Sequence, residues 1–171
     1  MKENFNLMEK VNYHFLQTFA EFRILVNNLP GDLWKRSPPG KKDWHLMRPL
    51  ILALHTVFSL TMRHMFNLPE LRKKFGIDPR TTKITKEIIL QMLNEIEDKF
   101  FVKYGKLTNE ELLTKISNDK FTAIDQMVYV LGHFRYHMGE LVQIGKENGI
   151  EEPKWYPLEH KEAMKKVTLK K

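Results

Sequence analysis

The sequence predicts an all-α chain, and three observations carry that prediction. Apolar residues recur at helical spacing over four long stretches. Capping residues stand where several of those stretches begin and end. No run alternates apolar and polar residues between hairpin turns, so nothing supports strands. At 171 residues and 42% hydrophobic, the chain can bury a good-sized core in one domain. The expected architecture is a four-helix bundle with one or two additional short helices. It is a single domain over 1–171, with 150–171 as a C-terminal extension.

Helix one is expected over 5–29. Met8, Phe15, Phe22 and Leu29 recur every seven residues, with Val11, Phe19 and Leu25 between them, which is a bundle seam. Leu29-Pro30-Gly31 stops it. Pro38-Pro39-Gly40 keeps 30–45 out of a helix, and Trp34 and Trp44 in this connection are expected to cover a bundle end. Helix two is expected from Trp44 to Leu68, with Pro49 in its first turns, where a missing N–H is best tolerated. A Pro- and charge-rich connection follows over 69–84. Helix three spans Thr85 to Tyr104, with Ile88, Met92, Ile96 and Phe100 on one face.

Two capping boxes come next. Thr108-Asn-Glu-Glu111 opens a short helix reaching about Ser117. Thr122-Ala-Ile-Asp125 opens the last long helix, which ends in the C-cap chemistry of Asn148-Gly149.

Composition narrows the function. There are no cysteines, so a disulfide scaffold, a thiolate metal site and a protein thiol nucleophile are excluded. Any thiol chemistry must draw its thiol from a substrate. The N-terminus lacks the continuous apolar segment of a signal peptide. The longest apolar run, Leu50 to Leu54, is far too short to cross a bilayer. A cytoplasmic protein with no membrane partner is therefore expected. The net charge of +7 comes from 28 Lys and Arg against 21 Asp and Glu. These residues are scattered and no nucleic-acid motif appears, so the surplus reads as a Lys-rich solvated surface.

The candidate chemistry lies in the histidines. His133-Phe-Arg-Tyr-His137 places two imidazoles one helical turn apart on one face, a spacing that suits a shared divalent metal. On a helical wheel, Ile124, Met127, Leu131, Phe134, Met138 and Leu141 form the core stripe, with His133 and His137 at its edge. His55 occupies a comparable edge of helix two, whose stripe is Leu50, Leu54, Val57, Phe58, Thr61, Met65 and Leu68. Such boundary positions suit a cleft between helices. The same positions also suit hydrogen-bonded histidines with no metal role. His64 falls about 180° from His55 on the wheel, away from this site. His14, His45 and His160 read as surface residues.

The order of features resembles the DinB/YfiT-like family of metal-binding helical bundles. The resemblance rests on Leu29-Pro30-Gly-Asp-Leu-Trp34 followed by Pro38-Pro39, and on Leu54-His55. It continues through His133-Phe-Arg-Tyr-His137-Met-Gly139-Glu140-Leu141 to Asn148-Gly149-Ile150-Glu-Glu-Pro153. It implies an up-down-down-up bundle, a homodimer, and a divalent metal, nickel or zinc; iron is a further candidate because three histidines suit it as well. The implied ligands are His55, His133 and His137. Implied activities are transfer or isomerisation reactions that use low-molecular-weight thiols. The family usually has glutamine at position 140, and this chain has Glu140. A carboxylate there can act as a base, bind the metal, or hydrogen-bond a ligand from behind.

The expected function is thus a divalent-metal-dependent enzyme that activates water or a small thiol for transfer or hydrolysis of a small-molecule substrate. The alternative is a non-catalytic metal-binding or stress-response bundle. Nucleic-acid binding has only net charge behind it.

Overall fold

The computed structural model describes residues 6–37, 39–42, 45–78, 80, 83–114 and 121–151. The expectations for Trp44, His160 and the 150–171 extension fall outside these residues, apart from 150 and 151. Among the described residues the chain is all-α, with seven helices and no sheet.

Helix α1 (Leu7–Asn28) matches the seven-residue seam: Met8, Val11, Phe15, Phe19, Phe22 and Leu25 are all buried. Asn6 caps it by accepting from the Glu9 N–H at 3.2 Å. Pro30 then turns the chain into the one-turn α2 (Gly31–Lys35), which lies inside the connection expected to be irregular. Two donors meet the Leu29 carbonyl at this break: the Trp34 indole at 2.9 Å and Lys86 Nζ at 2.6 Å. Trp34 is buried there, as a residue covering the end of a helix should be.

The second expected helix is much shorter than its apolar pattern suggests. Helix α3 (Pro49–Ser59) opens with proline at its first position and stops nine residues before Leu68. Side-chain hydroxyls compete with the helical ladder at this end. Thr56 Oγ1 donates to the Leu52 carbonyl, Ser59 Oγ to Thr56, and Thr61 Oγ1 to Phe58. The chain then doubles back through Asn67, at φ 49, so that the Phe66 N–H reaches the Leu60 carbonyl. A second unexpected turn of helix, α4 (Pro69–Lys74), starts on Pro69.

Helix α5 (Lys86–Lys103) is capped by Thr85, and α6 (Asn109–Leu113) carries the complete Thr108–Glu111 box. Helix α6 ends at Leu113, short of the expected Ser117, which lies outside the described residues. Helix α7 (Ala123–Glu147) carries the Thr122–Asp125 box and ends at Asn148, with Gly149 at φ 76 supplying the left-handed turn.

Helices α1 and α3 each pack on both α5 and α7. An aromatic core fills the space between them. Phe15 lies 4.4 Å from Phe100 between ring centroids, and Phe22 lies 5.1 Å from Phe134. Packing against two neighbours widens the buried face of α7. Val130 is fully buried and His137 is buried, while Ile124 and Leu131 are only partly so. The core stripe therefore runs through His137, not beside it.

Candidate metal centre

Three histidines from two helices converge at the α3–α7 contact. In α3 nine of the eleven residues are buried and Phe58 is half-buried, which leaves His55 as its one exposed side chain. On α7, His137 is buried and His133 half-buried. The ring centroids stand 5.0 Å apart for His55 and His137, 4.6 Å for His133 and His137, and 6.5 Å for His55 and His133. One nitrogen from each ring lies within 4.8 Å of the others, and this group can hold a metal ion.

The polar atoms in the cluster are unusual. Nε2 of His133 and Nε2 of His137 are both buried, and neither has a hydrogen-bond partner among the described residues. A buried polar nitrogen without a partner costs about 1–3 kcal/mol. Two of them on adjacent rings, next to a third histidine, fit a shared ligand of positive charge. The other nitrogen of His137, Nδ1, lies 2.6 Å from Oε2 of Glu140.

Burial disfavours the charged form of two of these imidazoles, His55 and His133. Desolvation lowers the His55 pKa, and positive charge on His137 lowers it further, while Glu140 opposes both. Desolvation also leads for His133, followed by the charges of His137, His55 and His64, again opposed by Glu140. Neutral imidazoles are the metal-binding form.

Glu140 stands behind His137 and outside the three-histidine group. His64 departs from the wheel. With α3 ending at Ser59, residue 64 is no longer on that helix, and its charge reaches His133. It is exposed and lies outside the group. His45 Nδ1 accepts from the Met47 N–H at 3.2 Å ahead of α3, and His14 is an exposed α1 residue edge-on to Tyr13.

Two tyrosines that the histidine pattern does not single out stand against the site. Tyr129 stacks on His133 with centroids 6.0 Å apart and planes at 20°. The Tyr136 phenol is held above its ordinary pKa by its hydrogen bond to Glu140 and by the charge of that carboxylate. Both contacts span four residues along α7, and that spacing is the signal in the sequence. Arg135 turns to α1, pairing with Glu21 at 3.3 Å and donating to Thr18 Oγ1 at 3.2 Å. Outside the cluster, Met47, Arg135, Tyr136, Gln143 and Ile144 line an open groove of about 500 Å³ with Glu140 on its wall.

No helix among the described residues is long and apolar enough to cross a membrane. Comparison of the chain with protein-family models, with curated proteins and with solved structures finds no match.

Proposed function

We propose that this chain is a divalent-metal-dependent enzyme of the DinB/YfiT-like type, built as an up-down-down-up four-helix bundle. The observation that carries the reading is the pair of buried, unpartnered Nε2 atoms on His133 and His137 beside His55. The packing of α1 and α3 on both α5 and α7 supports the bundle. His55, His133 and His137 hold nickel or zinc, with iron as the third choice, since three imidazoles suit all three metals. When bound, the ion supplies a Lewis acid that acidifies water or a small thiol near neutral pH.

The chain's own residues set the conditions for that chemistry. Three neutral ligands add no negative charge, so the ion keeps its full acidity. Exposed His55 leaves the site open on one side, as a catalytic site requires. A low-molecular-weight thiol is the proposed co-substrate, as the family resemblance implies, and it comes with the substrate because the chain has no cysteine. A homodimer is the proposed assembly.

The test is elemental analysis of untagged protein loaded with nickel, zinc or iron, followed by a panel of thiols with an electrophilic acceptor. About one metal per chain and thiol-dependent turnover are expected. Metal far below one per chain overturns the reading. Full metal with no turnover across the panel, or with water, favours the non-catalytic alternative.

A further inference from the structure

A neutral imidazole carries one proton, and either ring nitrogen can hold it. Only the bare nitrogen can bind a metal, so the tautomer decides whether a histidine is ready to ligate. For most histidines the surroundings leave that choice open. For His137 they do not. Its Nδ1 lies 2.6 Å from Oε2 of Glu140, one turn along the same helix. An ionised carboxylate only accepts, so at this distance Nδ1 is the donor and carries the proton. In the neutral ring Nε2 is then bare, and Nε2 is the atom that is buried without a partner.

The Tyr136 ring stands edge-on to His137, with centroids 5.2 Å apart. His133, the other α7 histidine of the cluster, leans on the Tyr129 ring instead. The two α7 imidazoles therefore differ: a carboxylate fixes one, and ring stacking braces the other.

We infer that Glu140 is a positioning residue, which locks His137 in the Nδ1–H tautomer with Nε2 turned to the metal position. This inference deepens the metal-site reading and rests on it for its purpose, although the tautomer itself needs no ion. It separates Glu140 from the two other roles open to a carboxylate here. Nδ1 and Nε2 point away from each other across the ring, so a group bonded to Nδ1 stands outside the space that Nε2 faces. That argues against Glu140 as a metal ligand. Its engagement by His137 argues against a free base.

The test uses the full chain in two measurements. Long-range proton–nitrogen NMR of the metal-free protein at about pH 8, above the ordinary imidazole range, reads the tautomer. The His137 signals are assigned by their loss in His137→Ala. The parent is expected to show Nδ1–H, Glu140→Ala a mixture or Nε2–H, and Glu140→Gln the parent tautomer, because its amide oxygen still accepts. Competition with a chromophoric chelator then reads nickel and zinc affinity. Glu140→Ala is expected to weaken binding about 10–100-fold, the usual cost of removing such a partner, with Glu140→Gln recovering most of the loss. A circular-dichroism melt confirms that each variant folds. Nε2–H in the parent overturns the inference, as does a Glu140→Ala variant with unchanged tautomer and affinity. The parent tautomer with no metal uptake by the parent protein overturns the metal-site reading instead and, with it, the purpose assigned to the lock.

Discussion

His55 and His137 meet edge to face across the α3–α7 contact, with centroids 5.0 Å apart and ring planes at 90°. One is exposed and the other buried, so an ion between them would tie a solvent-facing residue of one helix to the core stripe of another. A ligand that binds only the folded state stabilises it by about 2.7 kcal/mol at a hundredfold excess over Kd. For a chain of this size that is a rise in melting temperature of about 5–10 °C. Nickel or zinc is expected to produce such a rise in the parent and none in His55→Ala or His137→Ala. Calorimetry with and without chelator checks it, and a rise that persists in His137→Ala removes that residue from the site.

Acid should destabilise the metal-free protein. Both His55 and His133 have pKa values lowered from 6.5, chiefly by desolvation and then by neighbouring histidine charge. The unfolded chain therefore takes up protons first as pH falls through about 6.5. Stability is full above that point and declines until the folded-state values are passed. Urea midpoints from about pH 8 to about pH 5 should fall, and His133→Gln should flatten the decline. A parent protein that gains stability over this range would show that the cluster prefers to be charged. Metal affinity should weaken over the same range, because protons compete for the same nitrogens.

Much of this was legible in the sequence, and what was not has identifiable causes. The Thr108 and Thr122 boxes announced two helix starts within a residue, because a cap is a local hydrogen bond that a short sequence encodes fully. The apolar run after His55 promised a helix to Leu68, but Thr56, Ser59 and Thr61 turn their hydroxyls onto backbone carbonyls and the helix stops at Ser59. That competition is invisible to hydrophobic periodicity. The same early stop moved His64 off the wheel that had set it opposite His55. The spacing of His133 and His137 put two imidazoles on one face. His137 nonetheless proved buried, because two neighbouring helices decide which face of α7 is covered. Glu140 was visible three residues on, but its partner atom was not.

Helix α7 carries two of the three histidines, so its start governs their placement. Thr122 Oγ1 accepts from the Asp125 N–H at 3.3 Å, and the Asp125 carboxylate accepts from the Thr122 N–H at 2.9 Å. Thr122→Ala should cost about 1 kcal/mol, the usual value of an N-cap, and Thr122→Ser should recover most of it. Urea unfolding measures both. A loss below a few tenths of a kcal/mol would mean that packing against α1 and α3 holds this end without its cap.

The turn after α3 is tied down from α5, and its strength should depend on alkali. The Tyr104 hydroxyl donates to the Phe66 carbonyl at 2.8 Å, and Lys103 Nζ reaches the Phe66 and Asn67 carbonyls at 3.0 Å each. Burial pushes the Tyr104 phenol up from 10.0 to about 12. Here the folded state holds its proton longer than the unfolded chain does. The contribution of Tyr104 is therefore complete below about pH 10 and fades as pH rises toward about 12. At neutral pH, Tyr104→Phe should cost about 0.5–1.5 kcal/mol for the lost hydrogen bond. The gap between parent and variant should close as pH climbs above about 10, since only the parent's unfolded state gains from ionising this phenol. Guanidinium unfolding of both proteins from about pH 7 to about pH 11 checks it. A gap that stays constant over that range would mean that Tyr104 ionises as readily in the fold as outside it.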